Sequence, residues 1–389
     1  MEPLHRHRSS LEGVIDFSES TWRVLSADER DKAQTVFYDI INHFEGPSNS
    51  TKDKPYDRIK LVRLTYEHSL SDDPRCPFLQ EFFRFVNATI DDCINFDDET
   101  RVDEIRSGLN SFANFLVDNF FLPLKASATT TPQPSPAGSS QAPSRHSALE
   151  SRERVASLRR DCLIRDRHRC VISRNFDLNE ADRRFENDGD DFALDDERQL
   201  LIDQDPDSFA ELEVAHILPH SLNTLTANPE LNKSKAIALD ILDMFDNGIV
   251  HLIGDSDIDR PLNALTLRID LHRQFGNFKI FFEAMPEPTH QPHTYRIDST
   301  QRRGLRKTMF PMTRQLHLTP ERTIDPPHPR LLAVHRAICH ILQLSAAGSY
   351  IDRILRDMDD GVVEADGSTH LASLVRLKLD GWWDGTVVG

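Results

Sequence analysis

Apolar residues recur at helical spacing through the first third of the chain and at mixed spacings beyond it. Ser26 and Glu29 form a capping-box pattern ahead of Val36, Phe37, Ile40, Ile41 and Phe44, and Gly46 supplies a stop. Further helical faces follow at Ile59, Val62 and Tyr66, then at Phe78, Leu79, Phe82, Phe83 and Val86 after Pro77, then at Val102, Ile105, Leu109, Phe112 and Leu116. Four amphipathic helices predict a small all-α bundle over residues 10–124, its phenylalanines forming the core. Past residue 150 the periods alternate. An arginine-rich helix is predicted from Arg152 to Arg165, and strands at Cys170–Ile172, Glu213–Leu218, Ile249–Ile253, Asn263–Leu267 and around Phe278, Ile280 and Phe282. Helices are predicted at 234–246, at 269–275 and through Leu331, Val334, His335, Ile338 and Leu342.

Residues 125–149 are dominated by Ser, Thr, Pro and Ala, so they bury too little surface to offset the entropy of ordering and read as a flexible linker. The organisation expected is therefore a disordered stretch at 1–9, the bundle at 10–124, the linker, and a mixed α+β domain at 150–389. Within that domain, residues 179–211 are acidic and read as a solvated insertion. The formal charge of -17, from 63 acidic and 46 basic residues, argues against a protein that coats nucleic acid over its whole surface. No run of 18 apolar residues or secretory pattern occurs, so the expectation is an intracellular protein, nuclear or cytoplasmic, with no membrane partner. Five cysteines without a CxxC pair point to reduced thiols.

The chemistry concentrates in three short contexts: AHILPH with His216, DRPLNALTL with Asn263, and DLHRQFG with His272. A neutral imidazole can take a proton from water at neutral pH, and a hard dication relieves charge on a phosphate. His216 is the expected base, Asn263 the amide that holds the hairpin, and His272 the metal ligand. In this order and spacing the residues resemble the HNH endonucleases, whose site is a ββα-metal finger. They are most similar to the HNH domain-containing proteins of filamentous fungi, a resemblance running over about residues 150–358. It implies an HNH ββα-metal-type domain with flanking helices and strands, hydrolysing phosphodiester bonds of nucleic acid, DNA first, with Mg2+ or Mn2+.

Three departures from that pattern bear on activity. Ala215 stands where many members place a second metal ligand, Gly276 stands where a further ligand is common, and the interval from His216 to Asn263 is long. Asp246, Asp259, Asp270 and Asn277 are the candidate replacements. The rival expectation is therefore an inactive HNH-fold module that binds nucleic acid or protein. Arg159, Arg160, Arg165, Arg167, Arg302, Arg303 and Arg306 are candidate phosphate contacts. The helices of 10–124 are a candidate surface for a protein partner or self-association.

Overall fold

Ser26 starts the first helix by a reciprocal cap. Its hydroxyl accepts the Glu29 N–H at 3.3 Å, and the Glu29 carboxylate accepts the Ser26 N–H at 2.8 Å. The computed structural model describes residues 22–46, 55–71, 73, 76–128, 145–223, 229–286, 288–301, 309–359, 377 and 382. Helices α1 (Ala27–Phe44), α2 (Arg58–Glu67), α3 (Pro77–Phe85) and α4 (Glu99–Leu116) bury the apolar faces that their spacing marks, with Phe37, Phe82 and Phe112 fully enclosed. A π-helical turn at Val117–Phe121 leads into α5 (Leu122–Ala128). Helical order thus runs into the stretch expected as a linker, because Lys125 is buried against Asp352 at 2.6 Å. Residues 129–144, most of that stretch, lie outside the described residues, as does the 1–9 segment.

The remaining elements are α6 (Arg145–Arg165), β1 (Phe176–Asp177), α7 (Leu178–Asp188), β2 (Phe209–Ala210), β3 (Leu212–His216) and α8 (Pro229–Phe245). After them come β4 (Ala264–Arg268), α9 (Ile269–Gly276), β5 (Ile280–Ala284), β6 (Thr294–Ser299), β7 (Met312–Gln315), α10 (Pro329–Leu344) and α11 (Ala347–Asp359). The fold is mixed: among the described residues, helices surround three small sheets, ordered β1-β2, β3-β4 and β5-β6-β7. No single helix among the described residues is long and apolar enough to cross a membrane.

One apolar core runs through both halves of the chain. Phe120 and Phe121 meet Phe245 of α8 with ring centroids 5.6 and 6.4 Å apart, and Tyr56 meets Tyr350 of α11 at 5.1 Å. The backbone N–H of Leu70 donates to the Phe245 carbonyl at 2.6 Å. The N-terminal helices therefore wall α8, the long excursion between β3 and β4.

Two expected strands are turns. Cys170–Ile172 folds as a loop in which Arg174 N–H returns to the Cys170 carbonyl at 3.0 Å, while Val171 N–H donates to Thr266 of β4 at 2.9 Å. Ile249–Leu252 is a 3-10 turn, because Gly248 at φ +76° reverses the chain and His251 N–H bonds back to its carbonyl at 3.2 Å. The acidic insertion is also more ordered than its charge implies. It carries α7, and Phe176, Ala181, Ala193 and Leu201 close a small core of their own. Buried apolar side chains together with ion pairs such as Arg169–Asp195 at 2.7 Å and Arg184–Asp196 at 3.0 Å hold it despite its acidic surface.

Candidate active site on the strand hairpin and its helix

Strands β3 and β4 pair antiparallel with His216 opposite Ala264, which sets His216 beside Asn263 at the end of the hairpin where the chain leaves β3 and returns to β4. Asn263 is fully buried and uses its amide as a clamp. Its Oδ1 accepts the Leu218 N–H at 3.0 Å, and its Nδ2 donates to the carbonyls of Leu218 and Ile258, both at 3.0 Å. The chain leaving β3 and the chain entering β4 are thereby fixed to one side chain.

Strand alternation divides the hairpin's two faces. Val214 and His216 turn toward α6, where Val214 packs with Leu158 and Cys162. Glu213 lies on the other face, where α9 packs, and its Oε2 accepts from His272 Nδ1 at 2.6 Å. That hydrogen bond is the main cause holding the Glu213 carboxyl below its ordinary pKa.

On the α6 side, His216 Nε2 and His220 Nδ1 both meet Asp259 Oδ1, at 3.1 and 2.7 Å. Ligand atoms of these three residues all lie within 4.8 Å of one another. The His216 and Asp259 side chains are each 2% exposed, and His220 is 17% exposed, so the group opens to solvent through His220. Asp259 Oδ2 and His216 Nδ1 are buried with no hydrogen-bond partner, although Arg154 Nε approaches Oδ2 to 3.5 Å. Burial opposes charge on Asp259, but the hydrogen bonds and positive field of the two imidazoles outweigh it and hold its pKa well below the carboxylate range. Burial also pushes His216 down, against the Asp259 hydrogen bond.

The sequence triplet is thus carried by one hairpin and helix, yet the ligand group forms without His272. Of the four replacement groups expected from sequence, Asp259 converges and the others do not. Asp246 is chelated by Arg330 at 2.6 and 2.8 Å, Asp270 pairs with Arg268, and Asn277 Nδ2 bonds back to the Arg273 carbonyl. His220 and Glu213 are the residues that sequence reasoning left without a role, and Arg154 is one that it placed only within the arginine run ahead of Cys170 as a possible phosphate track. A weak signal existed for two of them: His220 lies four residues past His216, and Glu213 shares a strand face with Ala215, two positions away.

The arginines expected at phosphates divide sharply. Arg165 is 1% exposed and donates to Asp166 and to the carbonyls of Pro261, Ala264 and Asp325, so it braces β4 from inside and is corrected to a structural role. Arg159 donates to the Leu212 carbonyl, Arg160 is exposed beside Asp161, and Arg167 pairs with Glu197. Arg302, Arg303 and Arg306 lie outside the described residues. His335 and Cys339 are core groups, His335 stacking on Phe275 at 3.9 Å.

A hairpin locked by a buried asparagine, with a histidine at its end and a second on the helix behind it, is the arrangement that the sequence resemblance to the HNH endonucleases implies. In agreement, residues 170–283 match the family model described as HNH endonuclease, a stretch that covers less than half of the chain. No curated protein and no solved structure matches.

Proposed function

We propose that this finger hydrolyses phosphodiester bonds of nucleic acid, DNA being the first substrate to test, with the help of a divalent cation. The observation that carries the reading is the convergence of His216, His220 and Asp259 at the mouth of a hairpin locked by Asn263. Two imidazole nitrogens and a carboxylate oxygen are a chemically sound cation set, and Asp259 Oδ2, buried with no hydrogen-bond partner and met only by the Arg154 ion pair at 3.5 Å, is an acceptor still to be satisfied. His216, His220 and Asp259 would hold the ion, and a bound dication supplies charge relief on the phosphate and leaving oxygen.

The protein's own groups do the rest. His216 Nε2 faces Asp259 and its Nδ1 is sealed from water, so His216 is badly placed to deprotonate water. His272 donates Nδ1–H to Glu213, which puts the basic electron pair of its neutral ring on Nε2. Proton acceptance therefore falls to His272 and cation binding to His216, reversing the roles expected from sequence. Asn263 keeps both connections of the hairpin in register, and Arg154 stands where a cationic arm meets a phosphate oxygen.

One observation favours the rival binding module. Ala215 is 1% exposed in the apolar core, so the position before His216 contributes no ligand. Plasmid cleavage by the full chain, over a series of dications and with chelator as control, separates the two. Cleavage that disappears in His272→Ala and in His220→Ala, with circular dichroism unchanged, supports the enzyme. A folded chain that shifts duplex DNA in a gel yet cuts it with no ion leaves the binding module.

A further inference from the structure

We infer that the cation site of this finger is a two-imidazole, one-carboxylate set, His216, His220 and Asp259, selective for a nitrogen-accepting transition-metal dication of the zinc and manganese kind over Mg2+. The inference rests on the proposed cation site and is independent of whether the protein cuts nucleic acid.

Two of the three ligand atoms are imidazole nitrogens, and they meet Asp259 Oδ1 at 3.1 and 2.7 Å. Mg2+ demands near-octahedral oxygen coordination and gives up water reluctantly, whereas imidazole suits zinc, manganese and their neighbours. Bonds of about 2.1 Å to a tetrahedral ion separate ligand atoms by about 3.4 Å, so the two imidazole nitrogens, at 3.1 and 2.7 Å from Asp259 Oδ1, need to move away from that oxygen by less than about 1 Å. The exposed edge at His220 leaves one side of the site for water or a phosphate oxygen.

Hairpin geometry keeps the helix histidine out of this set. Glu213 Oε2 holds His272 Nδ1 at 2.6 Å, and His272 brings no ligand atom into the group that His216, His220 and Asp259 form within 4.8 Å of one another, although it lies near enough for its charge to act on His216. The long interval between His216 and Asn263 acquires a purpose here. It contains both added ligands: His220 sits on the turn leaving β3, and Asp259 on the turn that returns to β4. What looks in sequence like an interruption of the finger is the segment that completes its cation site.

Calorimetric titration of the full chain, stripped of metal, tests this with Zn2+ and Mg2+ as separate probes and no nucleic acid present. One Zn2+ is expected to bind at least 10-fold more tightly than Mg2+. His220→Ala and Asp259→Asn are each expected to weaken Zn2+ by at least about 10- to 100-fold, the range seen when even supporting groups of metal sites are lost. His272→Ala is expected to leave the Zn2+ affinity within a few-fold. Asp259→Asn preserves the shape of the side chain, so its result stands even where a larger change unfolds the site. Loss of Zn2+ binding in His272→Ala but not in His220→Ala overturns the assignment, as does equal affinity for the two ions or no binding of Zn2+. Intact Zn2+ selectivity in a protein that cuts nothing overturns the nuclease reading alone.

Discussion

Asn263 and Leu218 are joined by two reciprocal hydrogen bonds, Leu218 N–H to Asn263 Oδ1 and Asn263 Nδ2 to the Leu218 carbonyl, each at 3.0 Å. A third bond from the same amide reaches Ile258, immediately before Asp259. One buried side chain therefore sets the positions of His216 and Asp259 together. Asn263→Ala strands a buried N–H and two carbonyls, at about 1–3 kcal/mol for each unsatisfied group. The expected outcome is a loss of roughly 3 kcal/mol in urea unfolding, with Zn2+ affinity falling in parallel. Asn263→Asp keeps the acceptor but sets a buried carboxylate against the carbonyls of Leu218 and Ile258, so at neutral pH it is expected to destabilise at least as much as Asn263→Ala. A drop below about 1 kcal/mol in Asn263→Ala would falsify the clamp.

Arg165 makes the hairpin's second attachment. Its guanidinium holds Asp166 at 2.8 Å, and Asp166 in turn accepts the Thr266 N–H of β4 at 3.2 Å. Burial opposes its charge, but the field of Asp166 overrides burial and raises the Arg165 pKa further. Arg165→Ala leaves the Asp166 carboxylate buried and alone, which costs about 3–5 kcal/mol in comparable pairs. Removing both charges in Arg165→Met with Asp166→Leu is expected to recover a large part of that loss. A double variant no more stable than Arg165→Ala shows that the backbone contacts, not the ion pair, carry the brace.

The finger was legible because its three marks sit in short local contexts with fixed chemistry. His216 ends a strand, Asn263 immediately precedes its partner, and eight residues separate Asn263 from His272 on the helix behind them. The α+β class was legible for the same reason, since the apolar period switches visibly past residue 150. The cation group was not, because Asp259 lies 43 residues from His216 and α8 intervenes. No local period could select Asp259 from Asp246 and Asp270, which proved to be neutralised by Arg330 and Arg268. Arg165 misled for a related reason: an arginine in a run of arginines reads as surface, and only the fold shows it enclosed by β4.

Arg154 belongs to the arginine run that the sequence marks ahead of Cys170 as a possible phosphate track. It is 44% exposed, and its Nε approaches the unbonded oxygen of Asp259. A cation held by Asp259 takes up that carboxylate's charge, leaving Arg154 to engage a phosphate. Each phosphate contact contributes about 0.9 to the slope of log affinity against log salt. Arg154→Ala is therefore expected to reduce the slope for duplex binding by about 1, measured by fluorescence anisotropy in a His272→Ala background to prevent cleavage. Arg160→Ala, at an exposed arginine beside Asp161, serves as comparison. An unchanged slope in Arg154→Ala removes this arginine from the substrate path.

Two buried titratable groups outside the finger pull stability in opposite directions with pH. Burial raises the Glu81 carboxyl to about 7, with Arg84 at 3.0 Å offsetting only part of the cost, and leaves its Oε1 unpartnered. The folded chain thus holds a proton that the unfolded chain releases near 4.5, so Glu81's contribution is full below 4.5 and is lost as pH rises through 7. His335 behaves in the opposite sense. Burial between Phe275 and Phe278 pushes it down to about 3 from 6.5, so its contribution is full above 6.5 and is lost as pH falls toward 3. Each slope has a limit of about 1.4 kcal/mol per pH unit, and from 4.5 to 6.5 the two offset one another. Urea midpoints of Glu81→Gln are therefore expected to rise with pH across that interval, and those of His335→Phe to fall. If both variants keep the parent's profile, neither group couples protons to folding; if their slopes come out exchanged, the burial of the two side chains has been read backwards.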